Sequence, residues 1–99
     1  MQYKFKENDK ALTVFVEGRI DTMTTPELEE AVLKKMEQFD SITFDFRDLE
    51  YISSAGLRLL LLVQKKATAT NKDFKIERCN QFVLEVFEMT GFSDILNVK

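Results

Sequence analysis

Apolar and polar residues alternate in "YKF" (Tyr3–Phe5) and again in "ALTVFVEG". In the second run Leu12, Val14 and Val16 share one face of a strand, and Thr13, Phe15 and Glu17 share the other. The cluster "ENDK" (Glu7–Lys10) between them reads as a turn, so the pair predicts an antiparallel hairpin, with Gly18 at its end. "SITFDF" (Ser41–Phe46) sets Ile42, Phe44 and Phe46 against Thr43 and Asp45, and "DFKIER" (Asp73–Arg78) turns Phe74 and Ile76 inward. Both are strands. "RDLEYI" reads as a loop.

Three other segments follow helical spacing. In "TTPELEEAVLKKMEQF", Leu28, Ala31, Val32, Met36 and Phe39 lie on one face, with Glu29, Glu30, Lys34 and Glu37 on the wet side. Its start can be built in two ways. Thr25 caps with Pro26 at the first helical position, or Thr24 caps and Glu27 reaches back. "SSAGLRLLLLVQKKATAT" is a second helix, apolar almost all round from Leu57 to Val63 apart from Arg58. Such a helix is buried on several sides or meets a partner. "NQFVLEVFEMTG" is a third, with Asn80 as cap and Gly91 as left-handed terminator, onto which Phe92 can pack back. "SDILNV" makes a last helical turn or an edge strand. The order β-β-α-β-α-β-α predicts an α/β fold. A hairpin is followed by parallel, right-handed crossovers, and helices cover mainly one face of a four- to five-stranded sheet.

The remaining chemistry narrows the function by exclusion. The chain has 99 residues, suited to one domain over 1–99, with 44% apolar residues, nine Phe and a formal charge of −3. Its charges are interspersed, with no basic patch for nucleic acid. There is one cysteine, Cys79, and no histidine. No internal disulfide, structural zinc site or His-based acid–base machinery follows from that set. No Gly-rich phosphate loop, apolar leader or membrane span is present, so the reading is a cytoplasmic binding protein that is not an enzyme and needs no cofactor.

One segment resists a purely structural reading. "DLEYISSAGLRLLL" places two hydroxyls at the start of the greasiest helix. Ser53 or Ser54 can cap it, because a helix start carries unpaired N–H groups and partial positive charge. A phosphate is favoured at the same place for the same reasons. Gly56 either packs tightly on the sheet or lets another protein approach the backbone.

Asp48, Ile52, Ser53, Ser54, Ala55, Gly56 and Leu57 in this stretch resemble the signature of the STAS domain family, of the anti-sigma factor antagonist type. "VEGRIDTMTTPEL", with Gly18 and Asp21, "FDFRDLEYI" and "VFEMTGFSDIL" extend the resemblance over nearly the whole chain. Many members carry an acidic residue where Ser53 stands and Ser or Thr where Ala55 stands. The resemblance implies a sheet with helices on one side and a partner switch. The unphosphorylated domain would bind an anti-sigma factor that is also a serine kinase, with an ATPase domain of histidine-kinase-like fold, and so free the sigma factor. Phosphorylation would end the complex, and a serine phosphatase would reset it. By alignment the acceptor is Ser54, with Ser53 as second candidate. The expected contact surface is Asp21, Thr22 and Thr24 from one loop, and Glu50, Ser53, Ser54, Ala55, Gly56 and Leu57 from the other. Asp21 serves equally well as a turn or capping residue. The family also supplies scaffold or regulator subunits of transporters and of lipid-transport ATPases, which is the alternative role.

Overall fold

The computed structural model describes residues 1–99. Strands β1 (Gln2–Asn8) and β2 (Ala11–Ile20) form the antiparallel hairpin, in register from Gln2↔Glu17 to Asn8↔Ala11. The strand pairing runs through Glu7 and Asn8, which confines the turn to Asp9 and Lys10; Asp9 takes φ +56°, a left-handed conformation that Asp tolerates. Helix α1 (Thr25–Lys35) leads to β3 (Ser41–Asp45), then β4 (Leu49–Ile52), α2 (Ser54–Ala69), β5 (Asp73–Glu77) and α3 (Gln81–Thr90). The main sheet runs β1-β2-β3-β5, and every pairing after the hairpin is parallel.

Gly18 does not end β2. At φ +89° it bends the strand and shifts its register, so that Gly18–Ile20 leave β3 and pair with β4. Beside it the segment read as the loop "RDLEYI" contains the short strand β4. Four residues paired with a bent strand end give too little alternation to be seen in the sequence. The final segment does two things at once: Phe92–Asp94 form a 3-10 turn, and Val98 makes a single bridge to Ile76.

One sheet face supplies Leu12, Val14, Val16, Ile42, Phe44, Phe74 and Ile76 to the core. They meet Leu28, Val32 and Met36 from α1, Leu59, Leu60, Val63 and Ala67 from α2, and Val83 and Phe87 from α3. The apolar circumference of α2 is explained by its central place, in contact with α1, β4 and β5. Only Leu62 on that helix stands out among exposed large apolar side chains. On the bare sheet face, Thr13 and Thr43 are half-buried as expected. Phe15 is covered by the Arg47 guanidinium, 5.9 Å from its ring centre. Asp45, on the face that the helices leave uncovered, is only 5% exposed beneath Arg47 and Arg78.

Asn80 fastens α3 to the sheet. Its side-chain oxygen accepts from the Val83 N–H at 2.9 Å, and its amide donates to the Leu49 carbonyl at 2.7 Å. Asn80→Ala removes both bonds and is expected to cost about 1–2 kcal/mol. For a domain of this size that lowers the melting temperature by roughly 4–16 °C. Asn80→Asp keeps the cap acceptor but loses the donor to Leu49, so it should fall between the two in a thermal melt.

Candidate functional site: a serine at the start of the second helix

Two loops leave the same end of the sheet side by side, because Ile20 pairs with Ile52 and the Ser53 N–H donates to the Ile20 carbonyl at 2.8 Å. One loop is Asp21–Thr24 and the other enters α2. Surfaces beyond the carboxyl ends of parallel strands are the usual place for sites in α/β folds.

In the first loop Asp21 Oδ1 accepts from the Met23 and Thr24 N–H groups at 3.0 and 3.1 Å. The Thr24 N–H is the chief reason the Asp21 carboxyl is held below its ordinary range, with the Met23 N–H, the Thr24 hydroxyl and the Arg19 charge adding to it. Asp21 is thus a turn-forming residue whose carboxylate is already engaged. Thr24 occupies the cap position, yet its hydroxyl accepts from the Asp21 N–H at 2.9 Å and makes no bond to the helix N–H groups. The Thr25 hydroxyl donates to the Asp21 carbonyl at 2.6 Å. Neither proposed cap of α1 forms; Pro26 does sit in the first turn. Thr22 and Met23 project from the loop, and Met23 is 87% exposed.

In the second loop the neighbouring serines part company. Ser53 is half-buried with extended backbone, and its hydroxyl accepts from the Gly56 N–H at 3.3 Å. It is the cap. Ser54 is the first helical residue and is exposed. Its N–H and that of Ala55 belong to the donors that a helix start leaves without an intrahelical acceptor. Glu50 is exposed and Ala55 half-buried.

Gly56 and Leu57 correct the expected contact surface. Leu57 is 7% exposed and faces the core. Gly56 is buried, and a Cβ there would lie 2.7 Å from Ile52 Cγ1 and 2.8 Å from Ile20 Cγ2. The glycine is required by the chain's own packing, and both residues shape the surface from beneath without being open to a partner.

An aromatic row beside this turn has no signature in the residue pattern. Tyr51 stacks on Phe82 with ring centres 6.4 Å apart, and the Arg19 guanidinium lies 4.1 Å from the Tyr51 ring centre. Once "RDLEYI" is read as a loop, Tyr51 has no assignable face; the pairing Arg19↔Tyr51 is what sets the row.

Elsewhere the surface offers little chemistry. No three His, Cys, Asp or Glu side chains cluster as metal ligands. No helix is long and apolar enough to cross a membrane. A cleft of about 610 Å³ lies around Met1, Phe15, Glu17 and Arg47, and none of the expected site residues line it. Burial raises the Asp45 carboxyl, but hydrogen bonds from Arg47 and the charges of Arg47 and Arg78 outweigh it and hold the group below its ordinary value. Burial, then the Asp45 charge, pushes the Cys79 thiol up to about 11, which makes it a poor nucleophile at neutral pH.

Comparison with known proteins identifies the family. The family model described as "Mlab, STAS domain" matches residues 3–97. An anti-sigma-B factor antagonist of Staphylococcus aureus (strain NCTC 8325 / PS 47) is 34% identical over 93 residues, spanning 92% of this chain and 85% of its own. The anti-sigma-B factor antagonist of Bacillus subtilis (strain 168) is 26% identical over 94 residues, spanning 95% and 86%. In fold, an anti-sigma factor antagonist from Mycobacterium paratuberculosis superimposes with a TM-score of 0.88 at 21% identity, over 98% of this chain and 83% of that one. The chain belongs to the STAS domain family.

Proposed function

We propose that this chain is an anti-sigma factor antagonist governed by phosphorylation of Ser54. Unphosphorylated, it binds an anti-sigma factor that is also a serine kinase and frees the sigma factor. Phosphorylation ends the complex, and a serine phosphatase restores it. The observation that carries the reading is the division of labour between adjacent serines: Ser53 is used as a cap, and Ser54 stands exposed on the first turn. The names of the curated relatives point to the same role.

The switch needs no unfolding. A phosphoserine carries a charge of about −1.5 to −2. At a helix start this charge meets free N–H donors and the positive end of the dipole, a gain of about 0.3–2 kcal/mol. In a complex the same group would be stripped of water and crowded by the partner. The contacts offered to the partner are Thr22, Met23, Glu50, Ser54 and Ala55, with Asp21, Thr24 and Ser53 holding the two loops in shape.

Incubating the protein with the cognate anti-sigma factor and ATP tests the reading. One phosphate should be incorporated in the wild type and in Ser53→Ala, and none in Ser54→Ala. Labelling that persists in Ser54→Ala moves the acceptor to another hydroxyl. The alternative, a scaffold or regulator subunit of a transporter or lipid-transport ATPase without a phosphoswitch, draws on the family membership. A pull-down that returns a transporter ATPase, with no labelling, would establish it.

A further inference from the structure

Helix α3 has two apolar stripes where its packing accounts for one. Val83 and Phe87 are fully buried against the sheet. Phe82, Val86 and Met89 recur at i, i+4 and i+7, so they share a second face. Phe82 is 47% exposed, Met89 is 87% exposed, and Val86 is half-buried. One border of this stripe is the core face. The other carries Glu85 and Glu88, both exposed, and the helix has no Lys or Arg. The stripe starts at the aromatic row, where Phe82 stacks on Tyr51, three residues before Ser54.

We infer that the outer face of α3, headed by Tyr51 and Arg19, receives an amphipathic helix of the anti-sigma factor, with Lys or Arg beside its apolar stripe. The inference rests on the proposed function and extends its contact surface. Charge selects the occupant. A second copy of α3 would bring Glu85 and Glu88 and no cation, whereas a basic border on a foreign helix pairs with both. Size selects the context. A ten-residue helix is about 15 Å long. That is too small to supply the roughly 800 Å² per partner of a stable interface. The face therefore works as a wing of a larger contact that includes the serine turn. Tyr51, Phe82 and Arg19 are of the residue types that dominate binding energy in such contacts.

Titration of the purified anti-sigma factor against wild type, Met89→Lys and the double variant Glu85→Lys/Glu88→Lys, with thermal melts of each, tests this. All three residues are exposed, so both variants should melt like wild type. Each should bind at least tenfold more weakly, and the double variant should also lose part of the salt dependence of binding. Wild-type affinity in both variants overturns the inference and leaves the Ser54 reading intact. No binding by the wild type overturns that reading and the inference with it. A dimer of the free protein that Met89→Lys dissociates, with partner affinity unchanged, assigns the face to a second copy and overturns the inference.

Discussion

Under the proposed function, Ser54→Asp is expected to melt within a few degrees of the wild type and to bind the anti-sigma factor at least a hundredfold more weakly. The two halves of that expectation come from one position. Ser54 is exposed and opens α2, so a carboxylate there is solvated and lies at the positive end of the helix, a gain of about 0.3–1 kcal/mol in the free protein. In the complex the same charge loses water and is crowded by the partner. Phosphoserine, with nearly twice the charge, should lose about 4 kcal/mol there, roughly a thousandfold in affinity. Calorimetric melting and titration of the two proteins measure both halves. A variant that unfolds, or one that still binds tightly, contradicts the mechanism.

Gly56→Val is expected to destabilise the fold by about 3 kcal/mol or more, lowering the melting temperature by more than about 10 °C. Gly in a helix interior ordinarily costs about 1 kcal/mol relative to Ala, so replacement would stabilise if there were room. There is none. The nearest atoms, Ile52 Cγ1 and Ile20 Cγ2, belong to side chains 3% and 0% exposed, so they have nowhere to move. Gly56→Ala separates the two effects: its propensity gain and its clash oppose each other, and a net loss of about 1–2 kcal/mol is expected. A melting temperature above the wild-type value in Gly56→Ala would show that the helix can lift off the sheet at no cost.

What the sequence disclosed follows from where local and tertiary demands agree. The starts and ends of β3, β5, α2 and α3 carry their own signals, in the alternation around Phe44 and Ile76 and in Ser53, Asn80 and Gly91. The cap of α3 is as expected because Asn80 needs only the backbone three residues on. The α1 start misled because the Asp21 turn engages both threonine hydroxyls, Thr24 through the Asp21 N–H and Thr25 through the Asp21 carbonyl, and no spacing rule ranks such a turn above a cap. β4 escaped notice because its strand character depends on the bend at Gly18, thirty-odd residues away in the chain. At the serine turn, the sequence left Ser53 and Ser54 equal as caps; only the backbone geometry separates them. Leu57 and Gly56 were open to either role for the same reason, since a helix apolar all round does not reveal which side is covered.

The bend at Gly18 also divides the sheet's hydrogen bonding. Beyond it, the last three residues of β2 are paired with β4 alone, outside the β1-β2-β3-β5 ladder. The corner is nonetheless fastened to the core, because Ile20, Leu49 and Ile52 are among its buried side chains and Asn80 ties Leu49 to α3. The serine turn is mounted on that corner through the Ser53 N–H on the Ile20 carbonyl, so the bend in one strand sets the platform on which the proposed docking surface stands.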